Sequence, residues 1–177
     1  KKVSVNIYIN QLHDEFVDFV KGLLRWYPAL DPRMIEFELL ESDLLLDVAG
    51  AIHQLEQLQA LGFSFSIDDF GSGYSSLTYL RQIPFDTIKI DQGFVLNDGL
   101  SGANIDIVRA IIGLANIFKR QIIAEGVESV KAGVQLIENG CLYGQGYAIA
   151  KPMWADELDG WIKHWRAPDA WTNVVFH

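Results

Sequence analysis

Short runs rich in β-branched and aromatic residues recur along this chain, each followed by a segment at helical spacing, and this alternation constrains the fold more than any other feature. Strands are expected near Val3–Ile9, Ile35–Leu40, Phe63–Asp68, Thr87–Asp91, Gln121–Glu125 and Leu142–Tyr147. Between them, Val48, Ile52, Leu55 and Leu58 form a helical stripe that stops at Gly62. Ile105, Val108, Ile112 and Ala115 form a second stripe, with Asn104 as its candidate cap. Helical patterns also cover Asp14–Trp26, Ser75–Arg81, Ser129–Asn139 and Ala155–Trp165, and turn signals fall at Pro28–Pro32 and Asn97–Gly102. Such a repeat predicts an α/β fold on a parallel sheet, and in barrels built this way the functional residues gather at strand ends.

Acidic and amide side chains close these strands. Asp68 and Asp69 end an apolar run and precede the Gly71-Ser72-Gly73 loop. Adjacent carboxylates repel unless cations lie between them, so the pair suggests a divalent metal, although an isolated Asp-Asp is more often a solvated turn. Asn6 and Glu38 place an amide oxygen and a carboxylate at two other strand ends. With Asp68 they make a hard-oxygen set suited to Mg²⁺ or Mn²⁺. Alone, Asn6 reads as a strand-end hydrogen bonder and Glu38 as a solvated residue. Lys89 alternates with Ile88 and Ile90, so its ammonium, on a buried strand, needs an anionic partner; an ion pair on one layer of the fold would also satisfy it.

The chain of 177 residues is 50% hydrophobic, enough for a substantial core and consistent with one domain. Its net charge of −9 comes with basic residues scattered rather than striped, which argues against duplex nucleic acid as a partner. No apolar run approaches the roughly 20 residues of a membrane span, and Lys1-Lys2 leads into an alternating pattern rather than a signal-peptide core. Cys141 is the single cysteine, which excludes an internal disulfide and fits a reducing compartment, so a cytoplasmic location is expected. His13, His53, His164 and His177 show no ligand spacing and carry no assigned role.

Six segments together resemble a known family: Asn6, Phe37-Glu38-Leu39-Leu40-Glu41-Ser42, Asp68-Asp69-Phe70-Gly71-Ser72-Gly73, Ile88-Lys89-Ile90-Asp91, Ala124-Glu125-Gly126-Val127-Glu128 and Gln145-Gly146-Tyr147. In order and spacing they are similar to EAL domains, the bacterial phosphodiesterases of cyclic di-GMP, from about Val3 to Lys163. The resemblance implies a modified TIM-type (β/α) barrel with one antiparallel strand. It also implies incompleteness, because the Glu-Ala-Leu motif, whose Glu is a metal ligand in the family, occurs nowhere in the chain. The expectation is an EAL domain over 1–177 lacking its N-terminal portion, with about six of the eight barrel strands.

The function implied is hydrolysis of one phosphodiester of cyclic di-GMP to linear pGpG with a two-metal site of Mg²⁺ or Mn²⁺; a negatively charged protein can take a phosphodiester where bound cations reverse the local sign. The alternative is a catalytically inactive EAL module serving as a cyclic di-GMP receptor or protein-interaction domain. The implied assembly is a homodimer, with sensory or GGDEF domains upstream. By resemblance, Asn6, Glu38 and Asp68 hold the first metal, Asp68 bridges to a second shared by Asp69, and Glu125 serves as a metal-water ligand or general base. Lys89 orients the attacking water or stabilises phosphate charge, and Glu128 supports. Glu41 anchors the loop Phe70–Ser76, which links metal binding to dimer contacts. Gln145 contacts substrate or water, and Tyr147, Phe70 and Tyr74 are candidates for stacking on guanine, although aromatic residues near strand ends more often pack. Leu40 and Tyr8 depart from the family's usual Thr and Ser beside the metal ligands, which shifts ligand orientation without removing a ligand.

Overall fold

A computed structural model describes residues 2–44, 48–73, 80–96 and 102–174. Five strands follow in the order β1 (Val3–Asn6), β2 (Ile35–Leu40), β3 (Ser64–Phe70), β4 (Thr87–Ile90) and β5 (Gln121–Ala124). The described helices are α1 (Asp14–Trp26), α2 (Glu41–Leu44), α3 (Val48–Ala60), α4 (Gln92–Val95), α5 (Ala103–Phe118), α6 (Val130–Glu138), α7 (Ala155–His164) and α8 (Asp169–Thr172). The α/β class and the parallel strands agree with the sequence reading. Residues 74–79, which include most of the helix expected over Ser75–Arg81, lie outside the described residues, as does most of the Asn97–Gly102 turn.

The chain divides into two compact units. The first comprises residues 1–89 and 115–121, and the second 90–114 and 122–177. In the first, β1 pairs with β2 so that Asn6 lies opposite Glu38, and β2 pairs with β3 so that Leu40 lies opposite Asp68, both in parallel register. Asp86, just before β4, exchanges a backbone amide and a carboxylate with Phe65: its N–H donates to the Phe65 carbonyl at 2.8 Å and its Oδ2 accepts from the Phe65 N–H at 3.1 Å. One face of this sheet is apolar. Phe37 packs 5.1 Å from Phe63 and 5.9 Å from Phe65, centroid to centroid, and Phe16 of α1 meets Phe37 edge-on at 6.0 Å. Leu39, Ile67 and Ile88 complete the same alternation, all buried.

The opposite face is polar and also buried. Glu36, Glu38, Ser64, Ser66, Thr87 and Lys89 all lie below 10% exposure. Parallel strands covered on both sides ordinarily read as continuous apolar runs. Here period 2 sorts hydrophobes to one side and charges to the other, so folding places charge where water is scarce. Such a face is stable only if its groups satisfy one another. Thr87 Oγ1 donates to Glu36 Oε2 at 3.2 Å, and Lys2 Nζ donates to Ser64 Oγ at 2.9 Å while lying 3.5 Å from Glu36 Oε2.

In the second unit, Glu125 N–H donates to the Ile90 carbonyl at 3.2 Å. Of the stripe expected along α5, Val108, Ile112 and Ala115 are buried and Ile105 is half-buried. Asn104 is not the cap of this helix: α5 begins at Ala103, after Gly102 turns the chain in at φ +55°. Ser129 does cap α6, accepting from Ala132 N–H at 3.1 Å. The strand expected over Leu142–Tyr147 reduces to one bridge between Ala124 and Gly144. Its backbone still follows β5, with Gln145 N–H donating to Ala124 carbonyl at 2.8 Å and Val127 N–H to Gln145 carbonyl at 3.0 Å. One glycine breaks the ladder: Gly146 lies against the backbone of Val127, where any Cβ would collide, so the chain bends instead of extending. No described helix is long and apolar enough to cross a membrane.

Candidate active site

In the first unit, Lys89 is the organising group. Its ammonium lies 3.1 Å from Glu38 Oε1 and 3.0 Å from Asp68 Oδ1, and all three side chains are 15% exposed or less. The sheet builds this contact, because Glu38, Asp68 and Lys89 come from β2, β3 and β4 and share its polar face. Glu38 also lies opposite Asn6, the final residue of β1, and Asn6 is exposed. The structure therefore brings Asn6, Glu38, Asp68 and Lys89 to one end of three neighbouring strands and their edge partner, and the anionic partner that a buried lysine needs turns out to be double.

Two carboxylates against one ammonium leave a unit of negative charge uncompensated among these three groups. Asp68 Oδ1, moreover, is buried and faces the Lys89 ammonium at 3.0 Å. A surplus of hard anionic oxygens over the one ammonium fits a divalent cation better than a structural ion pair, which gains from complete pairing.

Asp69 follows with φ +53°, in the left-handed region that aspartate tolerates better than most residues. The turn it starts carries Gly71, at φ +99°, and Gly73 past the carboxylate of Glu41. Glu41 Oε2 accepts from Gly71 N–H at 2.8 Å and from Gly73 N–H at 3.0 Å, and the side chain is 2% exposed. A buried carboxylate with two charge-assisted backbone bonds fixes where the loop leaves β3. Residues 74–76, the rest of the loop assigned to Glu41, lie outside the described residues.

The second unit has an open cleft of its own, of about 610 Å³, lined by Gln92, Glu125, Glu128, Gln145, Tyr147 and Lys151 among others. The four residues expected here from the sequence, Glu125, Glu128, Gln145 and Tyr147, thus share one cavity. Gly126, at φ +68°, lets the chain turn between Glu125 and Glu128, and a Cβ there would press on Gln92. Lys151, Gln92 and Trp161 also line the cleft, and no sequence pattern marks them for it. Glu36 escapes the sequence reading as well, although it stands two residues before Glu38 and period 2 puts both on one face. His13 is structural, since its Nδ1 accepts from Phe16 N–H at 3.3 Å and caps α1.

The family model for the EAL domain matches residues 1–152. The chain is an EAL domain family member. Among curated relatives, cyclic di-GMP phosphodiesterase NbdA of Pseudomonas aeruginosa is 36% identical over 166 residues, covering 93% of this chain and 21% of the relative. Cyclic di-GMP phosphodiesterase PdeR of Escherichia coli is 37% identical over 169 residues, covering 93% of this chain and 25% of the relative. The chain spans about a fifth to a quarter of the length of these proteins. Among solved structures, the EAL domain of Mycobacterium smegmatis DcpA superposes with a TM-score of 0.85 at 36% identity, over 94% of this chain and 75% of that one. A manganese and cyclic di-GMP complex of Klebsiella pneumoniae BlrP1 gives 0.77 at 27% identity, over 85% and 39%. These likenesses assign this EAL chain to the α/β fold of its relatives, a modified TIM-type barrel.

Proposed function

We propose that this EAL chain carries the catalytic machinery of a metal-dependent cyclic di-GMP phosphodiesterase that opens one phosphodiester to give pGpG. The observation that carries the reading is the convergence of two buried carboxylates, Glu38 and Asp68, on the single ammonium of Lys89. Relatives named as phosphodiesterases of this nucleotide support the substrate, and BlrP1 complexes with manganese or calcium support divalent cations. Asn6, Glu38, Asp68 and Asp69 would hold Mg²⁺ or Mn²⁺, with Glu125 as a further ligand. Bound there, the cations would supply a water of lowered pKa and charge stabilisation on the attacking and leaving oxygens.

The chain's own groups divide the rest of the work. Lys89 fixes the orientation of Glu38 and Asp68 and keeps positive charge beside the position of the phosphate. Glu125 accepts the proton of the attacking water, supported by Glu128. Gln145 and Tyr147 bind substrate from the cleft, and Glu41 holds the loop after Asp69 in place for dimer contacts. On this reading the partner is a second copy of the chain, in a bacterial signalling protein carrying sensory or GGDEF domains.

The test is pGpG production from cyclic di-GMP with Mg²⁺ or Mn²⁺, followed chromatographically on the protein expressed from its full reading frame. Asp68→Asn, which keeps the shape and removes the charge, is expected to abolish turnover. Glu125→Gln should lower kcat by about 10²–10⁴ while nucleotide still binds, as for loss of a general base. Tight binding without turnover by the unaltered protein would instead support the receptor reading.

A further inference from the structure

We infer that Lys151, with Tyr147, reads the guanine base in the cleft of the second unit and thereby selects cyclic di-GMP over its adenine counterpart. The inference rests on the proposed function and adds a specificity determinant to it. Among the described residues lining the cleft, which include Glu125 and Glu128, Lys151 is the only cation. Its ammonium lies over the Tyr147 ring at 5.8 Å from the centroid, and Tyr147 is 58% exposed. An exposed aromatic face beside a cavity is a platform for a nucleobase, and such stacking is blind to base identity.

Identity comes from the edge. Guanine presents two acceptors, O6 and N7, side by side, whereas adenine replaces O6 with an amino donor. An ammonium has donors only. At the rim of a base stacked on Tyr147, Lys151 would therefore satisfy guanine and oppose adenine. The ammonium sits over the ring at 5.8 Å, within cation–π range, and its flexible four-carbon stem lets it move from the ring to the rim of a stacked base. Phosphate pairing alone would strengthen both nucleotides equally.

Equilibrium dialysis of cyclic di-GMP and cyclic di-AMP against the full-reading-frame protein separates these cases. Lys151→Met, at an exposed position, is expected to weaken cyclic di-GMP binding about ten-fold, in the range for loss of one base-edge contact, and to leave cyclic di-AMP unchanged. Lys151→Arg should restore the preference, because a guanidinium reaches O6 and N7 together. Equal weakening of both nucleotides, or no weakening of either, overturns the base-reading role while leaving the phosphodiesterase reading intact. Failure of the unaltered protein to bind cyclic di-GMP overturns both.

Discussion

Lys89 shows how one buried cation can order a site. Three strands deliver Glu38, Asp68 and Lys89 to a common face, and removing the lysine would leave two buried carboxylates facing each other. Lys89→Met is therefore expected to destabilise the fold by about 3 kcal/mol in urea titrations, within the range for an orphaned buried charge, besides removing turnover. Cys141 gives a second prediction with a defined sign. Burial pushes its thiol up to about 11 from an ordinary 9.0, so the folded protein holds a proton that the unfolded chain gives up. Stability from this group is complete below pH 9 and is lost as pH rises toward 11, by about 3 kcal/mol at most. Cys141→Ala should flatten that part of the pH–stability curve measured by chemical denaturation. Much at this scale was legible in the sequence. That Lys89 needs an anionic partner followed from its alternation with Ile88 and Ile90, whereas the grouping of Asn6, Glu38 and Asp68 as ligands came from the resemblance to the family. Lys151 was not legible, because a lone lysine after an irregular Gly-rich turn has no periodicity to place it.

At the scale of elements, β2 was readable to the residue, since Ile35, Phe37 and Leu39 alternate with Glu36 and Glu38 across a strand buried on both faces. Leu142–Tyr147 misled because its hydrophobes suit a strand while Gly144 and Gly146 serve a close approach to Val127 that periodicity does not encode. The short α2 was invisible for a different reason: a single turn starting at Glu41 has too few positions for a helical stripe. That turn has consequence, because it presents the Glu41 carboxylate to two loop amides. Glu41→Ala is expected to release Gly71 and Gly73, lowering turnover and dimerisation while nucleotide binding persists, as checked by kinetics and analytical ultracentrifugation alongside dialysis. Gly71→Ala tests the same turn from the backbone side. With φ at +99°, a Cβ brings strain, and a loss of about 1 kcal/mol should appear in thermal unfolding while the Glu41 carboxylate stays in place.

For the whole molecule, the net charge of −9 and, among the described residues, two buried carboxylates on one ammonium set a cost to folding. Self-repulsion opposes compaction, and the polar face of the first unit concentrates it where water cannot screen. A divalent cation bound by Asn6, Glu38, Asp68 and Asp69 would favour the folded state, since the unfolded chain scatters these ligands far apart. Linkage then fixes the scale: free Mn²⁺ at one hundred times its dissociation constant should add about 2.7 kcal/mol to stability. Thermal unfolding with and without Mn²⁺ is expected to show an upward shift that EDTA reverses. Asp68→Asn should lose most of the shift, because it removes one ligand charge, whereas an ion acting by general screening would stabilise the variant and the parent alike. Equal shifts in the two proteins, or none in either, would remove the cation from this face of the sheet and return Glu38, Asp68 and Lys89 to a structural ion-pair cluster.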